Sequence, residues 1–500
     1  MSKTVLPADL KGVRVHFVGI KGTGMAALVE IMHGAGAVIS GSDVAERFYT
    51  DDILESLGIR ASLFSEDNIT DDIRFVVYSS AYSPKVNPDL IAALRRKIPC
   101  MLYTEALGAY SERAYSAGIC GVHGKTSTTG IVGTILKELP LPSQTLAGSV
   151  INSFGDGNSC TFTSDNFSGS KNRYFVAETC EYQRHFMSFR PQKIVLTSVE
   201  SDHQDFYPTF KDIRQAFVDY ICLLPEGGDL IYCADDAGAL ETAQIASKKR
   251  GDIHLIPYGE NAAGDYRLKF KGVSDEKNRF SIPLLGDLYI RMPGKHEVMD
   301  AVGACALVAE LLRADGKNPE DFTDNIKRGL EQFNGGRRRS EIVDRVHNAL
   351  GRSIVIIDDY AHHPTAIKTT LAGFREFYGG RKIIVDFMSH TYSRTEALLG
   401  DFASAFSEAD EIILHKIYAS AREKPENARI SGKTLFEKVK ECGGNAHYFE
   451  EVLDAKDFVL SELNKEGGEN GFLFVTMGAG DNWKLGRAVS SALKAAESLQ

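Results

Sequence analysis

The chain has 500 residues, 43% hydrophobic and 25% charged, a composition that excludes collagen, coiled coil and intrinsic disorder. At roughly 150 residues per domain this length implies about three domains. Lys and Arg number 57 against 67 Asp and Glu, a net charge of −10, so nucleic acid is not expected as the main partner.

No basic segment followed by an apolar stretch opens the sequence, and no apolar run reaches the ~18 residues of a membrane span. A cytoplasmic protein with no membrane partner is therefore expected. The eight cysteines include no Cys-x-x-Cys pair, which fits reduced, mostly packed thiols better than a disulfide lattice or a zinc ribbon.

In chain order, a strand is predicted over 13–18, then the turn Gly19-Ile-Lys-Gly-Thr-Gly24, a helix to residue 33 and a strand over 37–40 leading into Gly41-Ser-Asp43. Phe75-Val-Val-Tyr78 repeats the strand signature and 87–97 reads as a helix. A second α/β pattern begins at 117 and continues through strands at 174–177 and 193–197 and a helix over 213–224. The Gly, Ser, Asn and Asp-rich stretch 155–172 reads as a mobile surface loop. An apolar helix over 300–312 precedes the break Phe333-Asn-Gly-Gly-Arg-Arg-Arg339. Beyond it, strands over 353–357, 382–387, 411–414 and 472–477 alternate with helical stretches such as 396–406. The pattern predicts three α/β domains, over 1–117, 118–336 and 337–500.

Gly121-Val-His-Gly-Lys-Thr126 carries the sharpest chemical signal. After a strand and before a helix, the backbone N–H groups of such a loop cradle phosphates, while the lysine reaches β/γ oxygens and the threonine hydroxyl meets Mg²⁺. The full phosphate-loop spacing asks for glycine at 119, where Ile119 stands. Gly19, Gly22 and Gly24 suit close approach to a diphosphate, with Asp43 placed as a ribose ligand, but their order is G-x-x-G-x-G; a tight turn with close helix packing explains them equally well. Glu178-Thr-Cys-Glu181 and Glu200-Ser-Asp-His203 each follow a strand, where acidic groups and a histidine share a divalent cation or simply solvate a loop. Asp358-Asp-Tyr-Ala-His-His-Pro364 and Ser389-His-Thr-Tyr-Ser-Arg-Thr395 also sit just past strands. The run Arg337–Arg339 reads either as a solvated linker or as a source of a phosphate-contacting arginine.

With these residues laid out, the chain resembles the Mur ligases over nearly its whole length. The matching stretches are Val15-His-Phe-Val-Gly-Ile-Lys-Gly-Thr-Gly-Met25, Ser40-Gly-Ser-Asp43, His123-Gly-Lys-Thr126, Glu178 with Glu181, Asp202-His203, Gly294-Lys-His296, Arg338-Arg339 with Glu341, Asp358-Asp-Tyr360, His362-His-Pro364, Tyr392-Ser-Arg-Thr395 and Met477-Gly-Ala-Gly-Asp481. The resemblance implies a UDP-sugar domain, a central ATPase domain and a C-terminal domain for the amino acid. It implies ATP and Mg²⁺ as cofactors and UDP-N-acetylmuramate and L-alanine as substrates, joined through an acyl phosphate in peptidoglycan precursor synthesis. A monomer or weak homodimer is expected.

Carried over by residue, the resemblance places UDP-sugar at Gly22, Thr23, Gly24, Asp43 and Ser80. It places ATP at Gly121, Val122, His123, Gly124, Lys125, Thr126 and Ser127, with His296, Glu297 and Asp300 near adenine and Asp359 at the ribose. Metal falls to Thr126, Glu178 and His203, and the catalytic set is Lys125, Glu178, His203, Arg339 and Arg394. Tyr360, His363, His390 and Arg394 hold the amino acid. Other Mur ligases carry a carbamylated lysine about fifteen residues past the histidine matching His203; Gln215 to Tyr220 contains no lysine, which implies the alanine-adding branch.

The chain departs from the family at Val122, Thr179, Cys180 and Ser340, and at Glu297 and Asp300, where asparagines are usual. A carboxylate only accepts, whereas an asparagine amide both donates and accepts at a purine edge. Three other functions stay open on the residues alone. They are a ligase joining a preformed peptide to the same UDP-sugar, a catalytically weak nucleotide-binding regulator, and a nicotinamide oxidoreductase suggested by the N-terminal glycines.

Overall fold

The computed structural model describes residues 6–7, 9–48, 50–155, 157–163, 170–204, 206–419 and 429–497. Strand Arg14–Val18 pairs in parallel with Val38–Ser42 on one side and Phe75–Tyr78 on the other, and Cys100–Leu102 completes a four-stranded sheet. Parallel strands buried on both faces read as apolar runs without alternation, as the central strands Arg14–Val18 and Phe75–Tyr78 do, whereas the edge strand Val38–Ser42 is partly exposed.

Strand Tyr115–Cys120 belongs to a second sheet of seven strands. Their order is His254–Tyr258, Asp229–Cys233, Lys193–Leu196, Tyr115–Cys120, Tyr174–Glu178, Ser143–Leu146 and Cys160–Phe162. All pairs are parallel except the last, where Cys160–Phe162 runs antiparallel to Ser143–Leu146. The chain leaves Tyr115–Cys120 through helix Lys125–Lys137 toward one edge, and later strands fill both its flanks. That makes the carboxyl end of this strand a topological switch point, where open α/β sheets take ligands.

Strands Lys269–Val273, Asn278–Ile282 and Gly286–Ile290 form a small third sheet. The fourth has six strands in the order Glu341–His347, Ser353–Asp359, Phe472–Gly478, Lys382–Met388, Glu411–Leu414 and Ala446–Tyr448, parallel apart from the first pair. Alternate residues of Ser353–Asp359 enter different cores: Val355 and Ile357 pack with Leu371 and Phe374, and Ile354 and Ile356 with Leu485 and Val489.

The chain divides into two compact units, residues 1–270, 280–289 and 299–334, and residues 271–279, 290–298 and 335–500. The first two sheets share one unit because one apolar cluster runs from Val15 and Phe17 through Met32 to Phe175 and Phe186. Between these sheets, buried Glu30 of helix Thr23–Gly34 accepts from the Ser159 N–H at 3.2 Å and from the Ser159 hydroxyl. Burial raises the Glu30 carboxyl to about 7 against those two hydrogen bonds.

Several expectations need correction. Strand Tyr115–Cys120 straddles the expected boundary at 117. The loop expected over 155–172 contains the strand Cys160–Phe162; residues 156 and 164–169 of that stretch lie outside the described residues. The helix expected over 396–406 is two, Tyr392–Ala397 and Leu399–Ser404, interrupted at Leu398. Helix Phe210–Ile221 starts three residues earlier than expected, because Thr209 and Asp212 form a reciprocal capping box. Among the described residues no helix is long and apolar enough to cross a membrane.

Candidate active site

Strand Tyr115–Cys120 delivers the chain into the turn 121–124, and helix Lys125–Lys137 begins directly after Gly124 in left-handed backbone at φ +80°. Gly121 has φ +140°, and a Cβ there would lie 2.1 Å from Thr197 Oγ1. Only glycine fits both demands. Ile119 is fully buried within the strand and paired with Glu178, so the missing glycine falls outside the turn. The Val122 N–H donates to the Ser198 carbonyl at 3.0 Å and the His123 N–H to Ser198 Oγ at 2.8 Å. His123 also bonds Glu200 through Nε2. The Val122 and His123 N–H groups are thus committed to Ser198 and fix the turn, and the helix N-terminus that follows it is the feature that suits an anion.

Lys125 Nζ donates to the Gly121 carbonyl at 2.5 Å and the Val122 carbonyl at 3.2 Å and lies 3.1 Å from Glu181 Oε2. Burial alone would lower its pKa; Glu181, with Cys180 and Glu178, outweighs burial and raises it. Burial would likewise raise the Glu181 carboxyl, but Lys125 and then His203 hold it below the usual range. Thr126 Oγ1 donates to Glu178 Oε2 at 2.9 Å, and the Gly148 N–H donates to the same oxygen at 2.8 Å. His203 Nε2 lies 3.4 Å from Glu181 Oε1. Of the expected metal set, then, Thr126 and Glu178 meet directly, while His203 meets Glu181. Glu181 belongs to the acidic stretch 178–181 but stands outside the expected metal and catalytic sets; its spacing, three residues past Glu178 and just beyond a strand, is the signal that marks it. Two carboxylates, a hydroxyl and an imidazole around a phosphate-type cradle fit a hard divalent cation.

Ser127 is buried in the first turn of the helix. Asp300 is buried, and its Oδ1 would come 2.3 Å from a Cβ on Gly124, so this carboxylate backs the phosphate-type turn.

In the first sheet, Gly19 is left-handed at φ +82°, whereas Gly22, which caps helix Thr23–Gly34, is ordinary at φ −59°. Gly22, Thr23 and Ser80 are exposed and Gly24 is half-buried. Asp43 is buried, with Oδ2 accepting from the Lys21 N–H at 2.7 Å and Oδ1 from the Val44 N–H at 2.8 Å and the Tyr82 hydroxyl at 3.0 Å. These donors shape the turn and leave Asp43 one lone pair on Oδ2 for a ligand.

The second unit gathers its candidates at the carboxyl ends of strands Ser353–Asp359, Phe472–Gly478 and Lys382–Met388. Arg338 donates to Asp358 Oδ2 at 2.8 Å and to the carbonyls of Gly480 and Gly478 at 2.9 and 2.7 Å. The guanidinium of Arg339 lies 5.3 Å from the Tyr360 ring centre, a cation–π distance. Arg338 is thus a structural tie that also lies 5.4 Å from the Tyr360 ring centre, and Arg339 takes no part in those three bonds. Asp359 accepts from the Ser340 and Ala361 N–H groups at 2.7 and 2.8 Å, and burial raises its pKa. His363 is buried and caps helix Pro364–Phe377, its Nδ1 accepting from the Thr365 N–H at 3.4 Å. Arg394 donates to the His390 carbonyl at 3.0 Å. His296 and Glu297 open helix Lys295–Ala314, with Glu297 buried and 3.9 Å from His296 Nε2.

A glycine turn and a lysine at a helix N-terminus, beside carboxylates on an open α/β sheet, are the kind of equipment found in enzymes that move a phosphoryl group from a nucleotide. The profile described as Mur ligase family, catalytic domain, matches residues 14–115; the Mur ligase middle domain matches 119–308, and the Mur ligase glutamate ligase domain 338–480. The chain belongs to the Mur ligase family and has its three-domain architecture. Mur ligases are ATP-dependent. The chain is 46% identical over 497 residues to the UDP-N-acetylmuramate–L-alanine ligase of Treponema pallidum, covering 99% of both, and 36% identical over 475 residues to that of Borreliella burgdorferi, covering 94% of this chain and 97% of the relative. Its fold is similar to the crystal structure of the UDP-N-acetylmuramate-alanine ligase of Thermotoga maritima, with TM-score 0.75, 24% identity and 97% and 99% of the two chains covered. It is also similar in fold to a murein peptide ligase from Psychrobacter arcticus, with TM-score 0.63, 20% identity and 96% and 99% coverage.

Proposed function

We propose that the protein joins L-alanine to the lactyl carboxylate of UDP-N-acetylmuramate in peptidoglycan precursor synthesis, using ATP and Mg²⁺ in the cytoplasm as a monomer or weak homodimer. The observation that carries this reading is the ion pair of half-buried Lys125 with buried Glu181 beside the glycine turn 121–124. ATP would supply the phosphoryl group that turns the carboxylate into an acyl phosphate, leaving ADP, and attack of the alanine amine on that carbonyl would form the amide and expel inorganic phosphate and a proton. Charge builds on oxygens in both stages, so the reaction calls for fixed cations and backbone donors and no nucleophilic side chain.

Within this proposal Gly121, Val122, His123, Gly124 and Ser127 present the phosphate cradle, and Lys125 neutralises the transferring oxygens. Thr126, Glu178 and His203 hold the metal, with Glu181 orienting both His203 and Lys125. Gly22, Thr23, Gly24, Asp43 and Ser80 take the UDP-sugar. Arg339 contacts the transferring phosphate and Asp359 the ribose, His296, Glu297 and Asp300 serve the nucleotide, and Tyr360, His363, His390 and Arg394 serve the amino acid. The working domains are 1–117, 118–336 and 337–500.

The test is phosphate release from ATP with UDP-N-acetylmuramate and each candidate amino acid or a tripeptide, followed by mass spectrometry. The expected product is the UDP-sugar with one alanine added. Turnover with the tripeptide and none with free alanine overturns the proposal in favour of peptide ligation.

A further inference from the structure

Asp386 and His415 form a pair in the second unit that the proposed reaction does not use. Asp386 lies within strand Lys382–Met388 and His415 just past Glu411–Leu414, and neither side chain has any exposure. His415 Nε2 lies 2.5 Å from Asp386 Oδ1, and its Nδ1 lies 2.9 Å from the Phe449 carbonyl. A carbonyl and an ionised carboxylate only accept, so opposite an ionised Asp386 both ring nitrogens donate and the ring carries two protons. Electrostatics agree: burial would lower the His415 pKa, but Asp386, with the Phe449 carbonyl and Asp481, outweighs it and raises it. Asn482, also fully buried, donates through Nδ2 to Asp386 Oδ2 and the Asp386 carbonyl, each at 3.0 Å, and to the Met477 carbonyl at 2.9 Å.

These bonds tie together three strand ends. Beyond His415 the Tyr418 N–H donates to the Ser389 carbonyl at 2.8 Å, and Tyr418 bridges His390, with the two rings 5.9 Å apart. His390 in turn accepts from Arg394, and the turn that Asn482 closes supplies the Gly478 and Gly480 carbonyls that fix Arg338.

We propose that Asp386, His415 and Asn482 are positioning residues for the amino-acid half of the reaction, the His415 cation and Asp386 fixing the strand ends that carry His390 and Arg394. This rests on the assignment of His390 and Arg394 to the amino acid made above. A packing role alone predicts something different. Replacing both members of a buried ion pair by apolar residues is often neutral for stability, whereas removing one member strands a charge.

The experiment compares full-length wild type with His415→Gln, Asp386→Asn and the double variant Asp386→Val/His415→Leu. Measured are melting temperature, nucleotide Kd by titration, kcat and KM for the amino acid, and the imidazole nitrogen NMR shifts of His415. The expected result is a doubly protonated His415 at neutral pH in wild type and an amino-acid KM raised about tenfold or more in the double variant, with nucleotide Kd within about twofold and near-normal melting. A folded double variant with wild-type KM overturns the proposal, as does a neutral imidazole or a nucleotide Kd that weakens in step with KM. If wild type ligates no amino acid, the proposed function fails and takes the positioning role with it, while the nitrogen shifts still report whether the charged network exists.

Discussion

The chain uses the same local device twice, a glycine turn between a parallel strand and a helix, and the two turns differ in what surrounds them. At 19–24 the turn is closed by Asp43, whose oxygens are largely satisfied by Lys21, Val44 and Tyr82, and helix Thr23–Gly34 has no acidic residue in its first turn. At 121–124 a half-buried lysine stands at the start of the helix with Glu178, Glu181 and His203 within its surroundings. A glycine turn permits close approach of an anion; the charges around it decide whether the anion is held or made to react.

The sharpest way to break this comparison is Lys125→Ala. Loss of a charge contact to the transferring phosphate costs ~3 kcal/mol or more, over a hundredfold in rate. Phosphate release is expected to fall by that amount while UDP-sugar affinity, measured by calorimetry, stays within about twofold. Near-normal turnover would remove the phosphate-loop assignment.

The helix behind the first turn carries the next effect. Burial pushes the Glu30 carboxyl up to about 7 from its ordinary value of 4.5. Stability that is fully present below the unfolded pKa is therefore lost as pH rises toward and through 7, by about 3 kcal/mol. Glu30→Gln keeps an acceptor for Ser159 without the charge, so it is expected to raise the melting temperature at alkaline pH and to flatten this dependence. Parallel melting curves for the two proteins across pH would count against it.

Substituting the glycines sharpens the contrast. Gly121→Ala meets both a left-handed φ and Thr197 Oγ1, a strain of ~1–3 kcal/mol, and nucleotide affinity is expected to drop about tenfold or more. Gly22→Ala has ordinary φ and its nearest neighbour at 3.5 Å, so melting and nucleotide affinity are expected to remain unchanged. Equal losses in the two variants would show that the turns are equivalent.

His203→Ala is expected to raise the Mg²⁺ concentration for half activity by about tenfold, the cost typical of losing a metal-site contact, with thermal stability retained. Asp300→Asn is the mildest change. Removing a carboxylate packed on Gly124 is expected to tighten ATP by about 1 kcal/mol, roughly fivefold. Weaker binding on titration would mean that the carboxylate braces the turn through its acceptors.

Much of this molecule was legible before any coordinates, because it depends on neighbours in the chain. Apolar runs marked the strands of the parallel sheets, and glycines marked turns whose left-handed backbone, at Gly19, Gly121 and Gly124, excludes other residues. The motif order was enough to suggest the family. Short edge strands such as Cys160–Phe162 escaped because three residues carry no periodicity to read.

Only the tertiary structure decided which residues meet. Glu181 pairs with Lys125 and His203, His363 caps its own helix, and His415 finds Asp386 across the sheet. The two expected N-terminal domains share one apolar cluster. Each of these pairings except the local cap joins residues brought together by strand order and register, and local sequence encodes backbone preference without encoding that order.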